Sequence, residues 1–144
     1  MKLNFNEKKK ILILCTGNSC RSQIAEGFAR KSGWLAFSAG IKPEIKVNPF
    51  AVKVMDEVNI DISNHIPQAI DDYLSDEFYL IVTVCDNAQK YCPTFTGNYI
   101  HQIHHSFQDP VNATGTHEDI MNVYRKIRDE IQIWMKKMNE EYLA

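Results

Sequence analysis

Residues 11–22 read Ile11-Leu12-Ile13-Leu14-Cys15-Thr16-Gly17-Asn18-Ser19-Cys20-Arg21-Ser22, and they decide the fold. Four consecutive apolar residues leave no polar face for solvent, which predicts a strand of a parallel sheet covered on both sides. Gly17, Asn18 and Ser19 break the strand. From Arg21 a helix is expected, because Ile24, Ala25 and Phe28 share one face and Gly33 offers a C-terminal stop. Between strand and helix, Cys15 and Arg21 are separated by five residues. Inward-turned N–H groups and a helix N-terminus make a concave anion site there. Gly17 and Asn18 are expected to take the left-handed backbone such a nest needs. Arg21 supplies a planar fork for two oxygens of a tetrahedral oxyanion, and the same positive potential favours thiolate over thiol at Cys15. An isolated Cys at a strand end is commonly just buried; the Arg at this spacing is what argues for a nucleophile held within its own oxyanion receptor.

Outward from this stretch, the alternation continues. Leu35 to Ser38 predicts a short second strand, Asn48-Pro49 a capped helix carrying Ala51, Val54, Met55 and Val58, and Tyr79 to Val84 a third strand running into Cys85. Ile100 to Ile103 is a shorter candidate. Ile120, Tyr124, Ile127, Ile131, Trp134 and Met138 form the apolar stripe of a long last helix, which Thr116 and Asp119 cap. Strands alternating with helices predict an α/β fold with a mostly parallel four-stranded sheet flanked by helices. Ligands of such sheets sit at the carboxyl ends of the strands, so Cys15 and Cys85 are expected on one rim.

The chain is 144 residues long, which suits one domain, residues 1–144, with a polar arm at 1–10. Hydrophobic residues at 44% argue against disorder, and a net charge of −2 lacks the basic field of a nucleic-acid binder. No apolar run approaches the ~20 residues that cross a bilayer, and the run after the polar arm is shorter than a signal-peptide core of ~7 residues. The expectation is a monomer in the cytoplasm, with no nucleic-acid or membrane partner. Cys15, Cys20, Cys85 and Cys92 are then thiols in a reducing compartment, where clustered cysteines do catalytic or redox work.

Cys-x5-Arg-Ser after one hydrophobic strand resembles the low-molecular-weight protein tyrosine phosphatase superfamily. The longer string from Cys15 to Gly27 resembles its thioredoxin-coupled arsenate reductases, as do Ser38-Ala39-Gly40 and Asp61-Ile62-Ser63-Asn64-His65. Tyrosine phosphatases of this superfamily usually place Pro after the Arg-Ser pair, where this chain has Gln23. They also place aromatic residues after the acid-loop Asp-Pro, where Val111-Asn112-Ala113 follow here.

The resemblance implies a phosphatase-like fold and reduction of arsenate to arsenite, with phosphate and sulfate as competing anions. The alternative is a phosphatase working through a Cys15 phosphoenzyme. Cys15 is the implied nucleophile, Cys85 the second thiol and Cys92 the resolving thiol. The resulting Cys85–Cys92 disulfide is recycled by thioredoxin. A helical segment between these two would hold their Cα atoms ~10 Å apart, beyond disulfide reach, which predicts a redox switch bounded by Pro93 and Gly97. Asp109 is the implied general acid, and Thr16, Gly17, Asn18, Ser19, Cys20, Arg21 and Ser22 bind the oxyanion. Ser22 is also expected to hydrogen-bond the Cys15 sulfur, and Cys20 to pack in the interior. No cofactor or catalytic metal is implied. A monovalent-cation site is implied at Asn18, Glu26 and Ser38, where the family's next acid is replaced by Gln68. His101, His104 and His105 are read as solvated or rim residues, since only 101 and 105 share a strand face and no carboxylate or thiol follows at ligand spacing.

Overall fold

The computed structural model describes residues 8–85 and 94–143. The apolar run becomes β1, Lys10–Cys15, whose Ile11 to Leu14 are completely buried. It is central because both faces of every residue must be covered. β2 (Leu35–Gly40) pairs with it on one side and β3 (Glu77–Thr83) on the other, while β4 (Asn98–His104) closes the order β2-β1-β3-β4. All three pairings are parallel.

The α-helices among the described residues are α1 (Arg21–Ser32), α2 (Pro49–Asp56) and α3 (His117–Met138). Gly33 ends α1 at φ 110, a left-handed conformation, and its N–H returns to the helix carbonyls. Asn48 caps α2 by accepting from Phe50 N at 2.8 Å, with Pro49 in the first turn. Thr116 and Asp119 form a complete capping box on α3. The buried stripe of α3 is wider than the predicted one. Met121 and Met135 join Tyr124, Ile127, Ile131 and Trp134 in the interior, and Ile120 and Met138 lie at its margin.

The two faces of the sheet are closed differently. Ile11, Ile13, Leu80 and Val82 pack with residues from all three α-helices. Leu12, Leu14, Phe78 and Ile81 form a second cluster, closed among the described residues by Phe95 and by Ile70, Tyr73 and Leu74 around a 3-10 turn at Ile70–Tyr73. Phe78 meets Phe95 edge-on at 5.6 Å. No helix among the described residues is long and apolar enough to cross a membrane.

Candidate active site

Cys15 is the last residue of β1 and pairs in register with Gly40, the last of β2. β3 ends at Thr83, so Cys85 leaves the sheet two residues later at the same edge. The loop between β1 and α1 turns beside Gly40, where an added Cβ would stand 2.5 Å from Thr16 O and 3.0 Å from Asn18 N. Glycine is needed there because backbone occupies the place of a side chain. Lys42 N and Glu44 N then donate to Thr16 O and Gly17 O at 3.0 and 2.9 Å, lacing the following segment to the loop.

Asn18 takes the expected left-handed conformation, φ 51, whereas Gly17 is not among the residues with positive φ. Its missing Cβ serves a different end, since Glu44 Cγ would lie 3.3 Å from one. The turn needs only one left-handed residue, and Asn18 supplies it.

Residues 15–21 line a cavity of about 380 Å³ together with Lys42, Glu44, Cys85, Asp109 and Val111. Cys15 is 3% exposed, and its Sγ receives Asn18 N–H at 3.2 Å and lies 2.8 Å from Ser22 Oγ. Cys20 precedes α1 without a side-chain cap bond, so the first turn's N–H groups are free of side-chain competition for an anion. Ser22 itself does not line the cavity. It is completely buried and supports the sulfur from behind, with Asn18 Nδ2 donating to its hydroxyl at 2.8 Å.

Arg21 comes from the first turn of α1, and its partners lie 86 and 88 residues further on. Nη1 donates to Phe107 O at 3.0 Å and Nη2 reaches Asp109 Oδ2 at 3.4 Å. The guanidinium therefore holds the segment that carries Asp109 against the loop between β1 and α1. Asp109 also accepts from Val111 N at 3.0 Å, which sets the turn at Pro110–Asn112. The start of that segment is fixed by rings: His105 stacks on Trp134 at 5.4 Å and meets Phe107 at 4.7 Å. His101 packs on Tyr79 and Tyr142, while His104 bridges Thr83 Oγ1 and Ser106 Oγ at 2.6 and 3.0 Å. The three histidines thus serve separate contacts.

Cys20 is buried, and burial pushes its thiol well above the usual cysteine range, with the charges of Asp109 and Cys15 adding and Arg21 opposing. A thiol that resists ionisation is a poor nucleophile. Cys15 and Cys20 are free thiols, whereas Cys85 is disulfide-bonded. Cys92 and Pro93 lie outside the described residues, as does the segment 86–91 for which an unwinding switch is expected.

The residues matched to a cation site stand together. Asn18 Nδ2 donates to Ser38 Oγ at 2.8 Å and Ser38 Oγ to Glu26 Oε1 at 2.8 Å. Glu26 Oε2 meets Arg30 at 3.0 Å and His65 at 3.1 Å, and Gln68 contributes its backbone N–H to Asn18 Oδ1. These groups satisfy one another in a closed chain of hydrogen bonds and ion pairs.

Sequence reasoning missed Lys42 and Glu44 as cavity walls, because nothing in an Ile-Lys-Pro-Glu-Ile-Lys loop marks it as adjacent to Cys15. It also missed the work of Gln23, although its departure from the phosphatase pattern was a signal.

Cys15 and Arg21, from the two ends of one loop, and Asp109, from a distant segment, thus line one cavity at the strand edge. The family model for low molecular weight phosphotyrosine protein phosphatase matches residues 10–143. An arsenate reductase from Halalkalibacterium halodurans is 46% identical over 127 residues, 86% of this chain and 90% of that protein. One from Bacillus subtilis is 43% identical over 137 residues, 93% of this chain and 97% of that protein. The solved structure of an arsenate reductase in oxidized state superposes with a TM-score of 0.74 at 25% identity, covering 93% of this chain and 98% of that one. With the match spanning both the loop of residues 15–22 and the segment that carries Asp109, the chain belongs to the low molecular weight phosphotyrosine protein phosphatase family.

Proposed function

We propose that this protein is an arsenate reductase that turns arsenate into arsenite by a relay of three cysteines. Arsenate enters the loop of residues 15–22, where backbone N–H groups and Arg21 hold its oxygens; phosphate and sulfate compete for the same place. The Cys15 thiolate attacks arsenic, Asp109 gives its proton to the departing oxygen, and water leaves a sulfur–arsenic(V) adduct. The Cys85 thiolate attacks the Cys15 sulfur. An S–S bond forms, the S–As bond breaks, and its electron pair stays on arsenic, which departs as arsenite. The Cys92 thiolate then displaces Cys15 from Cys85, and thioredoxin takes up the Cys85–Cys92 disulfide by becoming oxidised itself. The reducing cytoplasm supplies that dithiol.

One observation carries the reading. Cys85 stands in the wall of the cavity that Cys15, Arg21 and Asp109 line, and it is oxidised while Cys15 and Cys20 are free thiols. A phosphatase releases its phosphoenzyme with water and has no use for a second sulfur at that wall. The names of the relatives support the same substrate. A phosphatase acting through a Cys15 phosphoenzyme competes on the strength of Arg21 and Asp109, but Val111 at the cavity wall offers no aromatic surface to an aryl group.

The test is arsenite production with thioredoxin and its reductase, for wild type, Cys85→Ser and Cys92→Ser, with the linked sulfurs mapped by mass spectrometry. Wild type is expected to turn over repeatedly. Cys85→Ser is expected to release no arsenite, and Cys92→Ser to stop after one equivalent with Cys15 and Cys85 linked. Full multiple turnover in both variants would overturn the relay, and rapid phosphotyrosine hydrolysis with no arsenite would favour the phosphatase.

A further inference from the structure

The hydrogen bonds behind the loop have a direction imposed by the groups themselves. The Glu26 carboxylate accepts, so the Ser38 hydroxyl spends its proton on Oε1 and is left to accept from Asn18 Nδ2. The other N–H of Asn18 Nδ2 goes to Ser22 Oγ at 2.8 Å, which leaves the Ser22 proton for Cys15 Sγ. The sulfur thereby receives two donors, the Ser22 hydroxyl and the Asn18 N–H. Both depend on Asn18 keeping its left-handed backbone and turning its amide nitrogen toward the serines.

Gln23 bears on both properties. Its side chain is 1% exposed, and Nε2 donates to Asn18 O and to Asn18 Oδ1, each at 3.1 Å. The first bond holds the peptide after the left-handed residue; the second, together with the Gln68 N–H that reaches the same oxygen at 2.8 Å, holds the carboxamide with its oxygen away from the serines. Gln23 is oriented in turn, because its Oε1 lies 2.9 Å from His65 Nδ1. That nitrogen also sits 3.1 Å from Glu26 Oε2, so two acceptors face it and a proton belongs there.

We propose that Gln23 is a positioning residue for the Cys15 nucleophile: its carboxamide clamps Asn18 from behind and so aims two hydrogen-bond donors at the sulfur. This rests on Cys15 being the nucleophile of the proposed function and not on arsenate being the substrate. Gln23 touches neither the sulfur nor the cavity, and it acts through Asn18 and Ser22.

Gln23→Met keeps chain length and bulk while removing both donors. The readout is the pH profile of Cys15 alkylation by iodoacetamide in the fully reduced protein, followed on the Cys15 peptide by mass spectrometry. Loss of the clamp weakens donors that favour thiolate, so the profile's midpoint is expected to move up by about one pH unit and alkylation below it to slow roughly tenfold. Ser22→Ala is expected to raise the midpoint as well, and the double variant to raise it by less than the sum of the two single shifts, because the Ser22 donor lies on the path from Gln23 while the Asn18 N–H reaches the sulfur without passing through Ser22. A midpoint that stays put or falls, even with a lowered melting temperature, or shifts that add in the double variant, would overturn the proposal. Should Gln23→Met fail to fold, Gln23→Glu keeps the acceptor for His65 without the donors and carries the same expectation. No arsenate enters this assay, so its failure and a failure of the arsenate reductase reading remain distinguishable.

Discussion

Gly40→Ala tests the geometry of the oxyanion loop without touching any group that reacts. The added Cβ would meet Thr16 O at 2.5 Å, Asn18 N at 3.0 Å and Cys15 O at 3.1 Å, all of them backbone atoms. Ordinary contact begins at 3.4 Å, so Thr16 O must retreat by 3.4 − 2.5 = 0.9 Å. Gly40 itself cannot yield easily, since it pairs with Cys15 in the sheet and its N–H donates to Gln68 O at 2.9 Å. The loop therefore moves, and with it the Asn18 N–H now 3.2 Å from the Cys15 sulfur. Overpacking of this kind costs about 1–3 kcal/mol of stability. Misplacement of catalytic groups by about 1 Å costs on the order of 10²-fold in rate. The expected result is a protein that folds with a modestly lowered melting temperature, while kcat/KM for arsenate falls about a hundredfold. Calorimetric titration with inorganic phosphate is expected to show weakened binding. A variant that keeps at least half the wild-type kcat/KM and binds phosphate normally would show that the loop does not depend on the close approach at Gly40.

Asp109→Asn removes the proton donor while preserving shape, and kcat for arsenate reduction is expected to fall about 10²-fold or more with little change in phosphate affinity. Equal losses in both would instead make Asp109 a partner of Arg21 only. Stability is expected to decline in acid. Burial holds His65 below the usual histidine value, with Arg30 adding and Glu26 and Asp61 opposing; burial also lowers His105, with His104 and Lys137 adding and Glu130 opposing. Each fold thus favours the neutral ring, and the unfolded chain binds more protons. The stabilisation is whole above the unfolded value of ~6.5, falls as pH drops through it, and levels off below the folded value. Melting temperatures between pH 7.5 and 5.5 are expected to fall, and to fall less in His105→Phe, which can keep the stack on Trp134; equal slopes would refute the assignment to His105.

Much of the local structure was legible in the sequence, although Gly17 does not take the left-handed backbone expected of it. Ile11 to Leu14 announced a buried strand because no residue in it tolerates solvent. Asn48-Pro49, Gly33 and the Thr116 to Asp119 box marked helix ends through bonds spanning a few residues. Cys15 and Arg21 could be paired because one loop carries both, and chemistry constrains their spacing. Val111 was legible as a missing aromatic, and it does stand in the cavity wall.

Contacts across the chain were not legible in this way. Arg21 meets Phe107 and Asp109, Gln68 meets Asn18, and His65 meets Gln23, all joined only once the parallel sheet brings loop ends to one edge. A polar residue such as Gln23 reads in sequence as solvent-facing, and only burial turns its carboxamide into a directional clamp. Nor did composition show that the face bearing Leu12 and Leu14 is closed, among the described residues, by Phe95 and a short turn instead of a helix. The physical reason is range. Propensity, capping and nucleophile-to-arginine spacing act over one turn of chain, whereas hydrogen-bond direction and covering of a sheet face depend on which distant segments the folded core forces together.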